Sequence, residues 1–142
     1  MKLVGSVITV FLTFTMLPES ATTRAAQKPE ELAQKSAEAW LTLADAGKYA
    51  ETWDEAAAYF KNVVTKNRWV NAMKSTRAPL GAVRTRKVKS ATYTNTLPGA
   101  PDGEYVVIQY DTGFENKNST VETITPMLNK DGKWRVCGYF IK

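Results

Sequence analysis

The sequence predicts an α+β domain in which three helical stretches precede a four-stranded antiparallel meander. Two observations carry that prediction. Apolar residues recur at helical spacing as far as Pro79, and after Gly81 the pattern changes to strand-like alternation. The links between the alternating runs are short, so neighbouring strands must run antiparallel.

The first helix starts at Pro29, which suits the first helical position, and Glu30 and Glu31 complement its positive end. Ala33, Ala37, Trp40, Leu41 and Ala44 give it one apolar face, and Gly47 stops it. Tyr49, Trp53, Ala56, Ala57 and Phe60 keep the same period. Asp54 is placed to cap a fresh start inside that stretch, which would divide it into two short helices. Thr65 is the N-cap of the next helix, where Trp69, Ala72, Met73 and Thr76 share a face before Pro79 ends it.

Strands are expected at about 83–96, 104–114, 119–129 and 133–141, joined by residues 97–103, a turn around Asn116-Lys117-Asn118, and Asp131-Gly132. A two-residue turn at Asp131-Gly132 sets Lys130 opposite Lys133, Met127 opposite Val136 and Thr123 opposite Phe140. One face then holds Trp134, Val136, Gly138 and Phe140 with Val121, Thr125 and Met127, joined by Val106, Ile108 and Tyr110. That is the face the helices should cover, with Trp134 and Trp40 in the core. The opposite face holds Arg135, Cys137, Tyr139 and Ile141 beside Glu122, Ile124 and Leu128. Apolar residues on both faces imply a sheet curled around a cavity or covered by a partner, and a second copy docking through the sheet would be one.

The start of the chain reads as an address. Lys2 supplies a positive charge, residues 3–17 carry none, Pro18 breaks the run, and small residues follow as far as Ala26. Residues 1–25 are therefore expected to be a signal peptide, cut between Ala21 and Ala26, and residues 26–142 a single domain in the periplasm or outside the cell. The competing reading is a retained N-terminal anchor, because no ideal A-x-A site is present. After cleavage no membrane-spanning segment is expected. The mature chain of roughly 117 residues is long enough to bury a core without staples. Its single cysteine, Cys137, allows no internal disulfide and lies too far along to be lipidated after the signal.

Charge is uneven. Residues 29–55 are rich in Asp and Glu, while residues 56–101 hold neither and carry nine Lys and Arg. The simplest consequence is that the two segments pack together and neutralise each other. The basic run from Arg84 to Lys89 has no interleaved aromatic residue, so nucleic acid is not expected as a partner. Its charges suit an edge strand, where they discourage strand addition by another chain.

Absences bound the chemistry. There is no histidine, which removes Ser-His and Cys-His catalysis and histidine metal sites together. One cysteine builds no thiolate metal site, no glycine-rich phosphate loop precedes a helix, and neither cofactor nor metal is expected. Cys137 in a strand reads as a small core residue. Asn118-Ser119-Thr120 fits a glycosylation acceptor but reads as a hairpin turn.

The candidate site residues are Asp111, Glu122, Arg135 and Tyr139. With a four-residue turn after Phe114, Asp111 sits across from Glu122, an arrangement that requires a shared proton or a cation; a two-residue turn dissolves the pair. Arg135 and Tyr139, one strand over on the same side, could orient an anionic or aromatic ligand.

Several stretches resemble a bacterial family known as domain of unknown function 4019. They are Ala78-Pro79-Leu80-Gly81, residues 97–110 reading LPGAPDGEYVVIQY, and Lys133-Trp134-Arg135-Val136 with Gly138-Tyr139. The element order also resembles the cystatin-like group and the nuclear-transport-factor-2-like cone. The resemblance implies membership and a curved sheet under helices; it implies no activity, because the family has none assigned and relatives by fold range from isomerases to binding and dimerisation domains. Two functions follow. One is a non-catalytic module binding a small molecule or protein. The other is a cofactor-free enzyme of isomerase or hydrolase type, using Asp111 or Glu122 with Tyr139 in a cone-shaped pocket. Converging carboxylates in a roomy cavity would favour the enzyme, and a filled interior the module.

Overall fold

Residues 25–142 are described in the computed structural model, so the signal peptide expected at 1–25 lies, apart from Ala25, outside the described residues. Four helices come first: α1 (Pro29–Asp45), α2 (Tyr49–Asp54), α3 (Ala58–Val63) and α4 (Lys66–Arg77), with a 3-10 turn at Ala78–Leu80. Strands β1 (Val83–Thr94), β2 (Tyr105–Phe114), β3 (Lys117–Leu128) and β4 (Trp134–Ile141) form one antiparallel sheet in sequence order. This is the expected α+β order. Among the described residues no helix is long and apolar enough to cross a membrane.

Helix α1 buries the five residues its spacing marks, Ala33, Ala37, Trp40, Leu41 and Ala44. The second stretch does divide, but Asp54 does not cap the restart; it pairs with Lys66 at 2.7 Å. The free amides at the start of α3 are met from β4 and the β3–β4 turn instead. Ala57 N donates to Val136 O at 2.8 Å and Ala58 N to Asn129 Oδ1 at 3.2 Å. Thr65 caps α4 through Arg68 N, as its position predicts. The buried stripe of α4 is Trp69, Met73 and Arg77, whereas Ala72 and Thr76 are exposed. A cation thus completes an apolar stripe, which prefigures the site described below.

The last hairpin departs from the expected register twice, and the two departures cancel. Asn129 N donates to Lys133 O at 2.8 Å and Gly132 N to Asn129 O at 2.9 Å, so three residues turn the chain and not two. Gly132 holds the left-handed conformation at φ 78° that closes such a loop. Met127 therefore faces Arg135 rather than Val136. A bulge then shifts the ladder between Thr125 and Pro126, leaving Cys137 as the extra residue and restoring Thr123 opposite Phe140. Pro126 is the cause written in the sequence, since it has no N–H to give a central ladder.

The bulge also exchanges faces. Trp134 and Val136 face the helices, and past Cys137 so does Tyr139, whose ring lies 5.0 Å from that of Trp40. Phe140 is turned out and half exposed. On β3 the helix-covered residues are Glu122 and Ile124, paired with Tyr110 and Ile108, while Val121, Thr125 and Met127 face away. The core-face expectation was right for β2 and inverted for β3.

Strand β1 is an edge of the sheet with Arg84, Lys87 and Lys89 exposed, as its charges predict. The acidic and basic segments do meet, through Asp45 with Arg77 and Arg86 and through Asp54 with Lys66. The Ala78-Pro79-Leu80-Gly81 stretch is structural. The β2–β3 turn docks on it, with Asn116 Nδ2 donating to Pro79 O at 3.0 Å and Asn116 N to Leu80 O at 2.9 Å. Gly81, at φ 75°, lies where a Cβ would meet Glu115 Cβ at 2.9 Å, so only glycine fits there.

Candidate functional site

Two regions compete for the role of site. One is closed and one is open, and they share no residue.

The closed region surrounds Glu122, which the alternation of β3 carries to the helix side and which is fully buried. Its Oε1 accepts from Arg86 Nε at 2.8 Å and Thr112 Oγ1 at 2.6 Å, and its Oε2 accepts from the Tyr139 hydroxyl. Arg86 in turn grips Asp45 with both terminal nitrogens, at 2.6 and 3.0 Å. Arg77 donates to Asp45 at 2.7 Å and to the Tyr139 oxygen at 3.3 Å, and its guanidinium lies 5.0 Å from the Phe114 ring centre. Two carboxylates and two guanidiniums make this cluster neutral, and its members come from α1, α4 and all four strands. Two atoms in and beside it, Arg77 Nε and the Tyr110 hydroxyl, are buried without a partner among the described residues.

The electrostatics follow from that geometry. Burial pushes the Asp45 carboxyl up, but hydrogen bonds from Arg86 and Arg77 outweigh it and hold it below the ordinary carboxylate range. Burial and the neighbouring Glu122 charge push the Tyr139 phenol far up, so it stays protonated as the donor to Glu122. Burial, with the charge of Glu38, pushes Tyr110 up to about 12. Burial also pushes the Cys137 thiol up to about 12, the opposite of what a nucleophile needs.

The four candidate residues are not brought together. Tyr110, not Asp111, stands opposite Glu122; Asp111 faces Val121 and Lys87 and is exposed on the uncovered face. Only two residues turn the chain after Phe114, because Phe114 pairs with Lys117, and a bulge then sets the ladder one step from the expected pairing. Glu122 and Tyr139 do meet, but inside the closed cluster. Arg135 belongs elsewhere: it donates to Asp131 at 2.9 Å and reaches Glu55 at 3.5 Å. The bulge at Cys137 is what parts it from Tyr139.

The open region is a groove of about 670 Å³ between α1, α2 and β4. Ala39, Trp40, Leu43, Trp134 and Val136 supply apolar surface, Glu51, Asp54 and Glu55 one charged wall, and Lys133 and Arg135 the other. The edge of β4 is fixed against the helices here, Ser36 Oγ donating to Trp134 O at 2.6 Å. Trp40 is anchored through its indole N–H to Thr52 O at 2.9 Å. Trp134, expected in the core, is only partly buried and forms part of the groove wall. A second hollow of about 410 Å³ also touches Asp54, Glu55 and Arg135. Among the described residues no three potential metal ligands converge.

Reading from sequence missed Asp45, Arg77, Arg86 and Thr112 in the cluster. The available signal was Arg77 four residues after Met73 and eight after Trp69, a cation on an apolar stripe. It also missed the groove, which depends on how α2 meets β4.

An α+β domain with a helix-covered meander, a closed ionic cluster and an open side groove is the class of protein defined so far. The family model described as protein of unknown function (DUF4019) matches residues 36–139, and the chain belongs to that family. The match spans α1 from Ser36 to Tyr139 and so takes in both regions. None of the curated proteins compared matches the chain.

Proposed function

We propose that the chain is exported and that its mature domain is a non-catalytic binding module, taking a small ligand into the groove between α1, α2 and β4. One observation carries the reading. The groove has a volume within the roughly 300–1,000 Å³ of small-ligand sites and combines apolar surface with a few charged groups, whereas the Glu122 carboxylate of the enzyme alternative has both oxygens engaged by Arg86, Thr112 and Tyr139. Glu122 is fully buried, so a substrate would have to displace Arg86, Thr112 or Tyr139 to reach it.

Amide shift mapping of the isotope-labelled domain against a library of small aromatic and charged fragments tests this. Shifts should gather at Ser36, Leu43, Trp134 and Val136. Shifts gathered at Thr112, Glu122 and Tyr139 would move the site into the cluster and restore the enzyme. Export rests on the charge and hydropathy pattern of residues 1–26. Mass spectrometry of the exported protein should show a start between Thr22 and Gln27, and a mature chain still holding residues 3–17 would contradict it.

A further inference from the structure

The charges on the groove walls differ in how fully they are matched, and the difference indicates the ligand. Asp54 is held by Lys66 at 2.7 Å. Arg135 is held by Asp131 at 2.9 Å and by Glu55 at 3.5 Å. On the α2 wall, Glu51 has only a 3.8 Å contact to Lys48 in which both side chains are more than half exposed. Such a contact contributes little. On the β4 wall, Lys133 makes no ion pair among the described residues; its backbone N–H is the group that bonds Asp131. An under-matched anion on α2 and an under-matched cation at the start of β4 thus line one groove, together with apolar surface from Leu43 and Trp134.

We propose, building on the groove as the binding site, that its ligand is zwitterionic with an apolar body: an ammonium group toward Glu51, a carboxylate toward Lys133, and an aromatic or aliphatic side chain against Trp134 and Leu43. A short peptide with free termini has that chemistry, and so does a free apolar amino acid. A purely anionic ligand would meet the three carboxylates of the α2 wall, and a purely cationic one Lys133 and Arg135. A lining that carries both signs of charge selects against both.

Trp40 and Trp134 line the groove, so intrinsic fluorescence reports occupancy. The probes are a phenylalanine-centred tripeptide with free termini, its N-acetylated form, its C-amidated form, its doubly capped form, and phenylalanine itself. The free tripeptide or phenylalanine should bind, and which does so distinguishes peptide from amino acid. Each cap should weaken binding about three- to fivefold, the loss of one partly solvated charge contact. In Glu51→Gln the N-terminal cap should make no further difference, and in Lys133→Ala the C-terminal cap should make none. Circular dichroism of both variants should match wild type, because neither side chain is buried.

Equal binding of the capped and free peptides overturns the charge assignment and leaves the groove reading intact. Failure of both free probes at millimolar concentration also overturns it, and fragment shifts at Ser36 and Trp134 then decide whether the groove still stands as the site.

Discussion

The cluster around Glu122 and the groove beside Trp134 both gather charged and aromatic side chains, yet they differ in where those charges end. In the cluster every ionised group meets an opposite charge in good geometry, with Glu122 and Arg77 buried and Asp45 at its exposed rim. In the groove, matching is partial and solvent enters. A carboxylate and a tyrosine in contact are therefore not enough to mark a site. Buried ion pairs reward completeness and punish the loss of one member, whereas binding sites need groups whose partner has yet to arrive.

That contrast can be broken most forcefully from the inside. Arg86→Ala removes partners from Glu122 and Asp45 together, and it should lower unfolding free energy by ~3–5 kcal/mol, read by urea denaturation. A loss below ~1 kcal/mol would mean that water already satisfies the cluster. The two tryptophans sharpen the boundary between the regions. Trp40, only 4% exposed and hydrogen-bonded to Thr52 O, should cost ~3–5 kcal/mol when changed to Ala. Trp134→Ala should cost clearly less, since part of its surface faces the groove, while weakening the fluorescence response to ligand.

The cluster should also imprint itself on pH dependence. The folded pKa of Asp45 is held below its unfolded value, so its contribution is complete above about pH 4 and disappears as pH falls through the folded value. Thermal midpoints should thus drop on acidification below about 4, with a shallower slope in Arg86→Ala. Tyr110 shifts the other way. Its folded pKa is raised to about 12, so its contribution is full below 10.0 and fades as pH climbs from there toward 12. The smallest effect belongs to Cys137. With its thiol raised to about 12, a thiol reagent should label native protein far more slowly than urea-unfolded protein at pH 8. Equal rates would show that the bulge leaves it open, and loss of ligand binding in Cys137→Ser would bring it into the site.

Element order, the face of α1, the Thr65 cap and the charged edge at β1 were legible because each depends on residues close in sequence. Register was not, because it depends on where a bulge falls. Pro126 announces that the ladder must break, but not that Cys137 is the residue left over. That single residue decides that Tyr139 joins Glu122 and that Arg135 turns to Asp131 and Glu55. The pairing of Asp111 with Glu122 failed for a like reason, a bulge after a two-residue turn. Site residues on opposite sides of a bulge are the ones alternation misassigns, and all four candidates here, Asp111, Glu122, Arg135 and Tyr139, sit on strands joined through one.

The division between closed cluster and open groove is tested most directly by one chemical change made in both places. Glu122→Gln and Glu51→Gln each replace a carboxylate by an amide of nearly the same shape. Urea denaturation of the two, with the fluorescence titration run beside it, should separate them. Glu122→Gln should lose ~3 kcal/mol of stability, since it leaves two guanidiniums with one carboxylate. Glu51→Gln should stay within ~0.5 kcal/mol of wild type and lose ligand affinity. A stable Glu122→Gln protein that no longer binds, beside a Glu51→Gln protein that binds as wild type does, would place the site in the cluster and contradict the account.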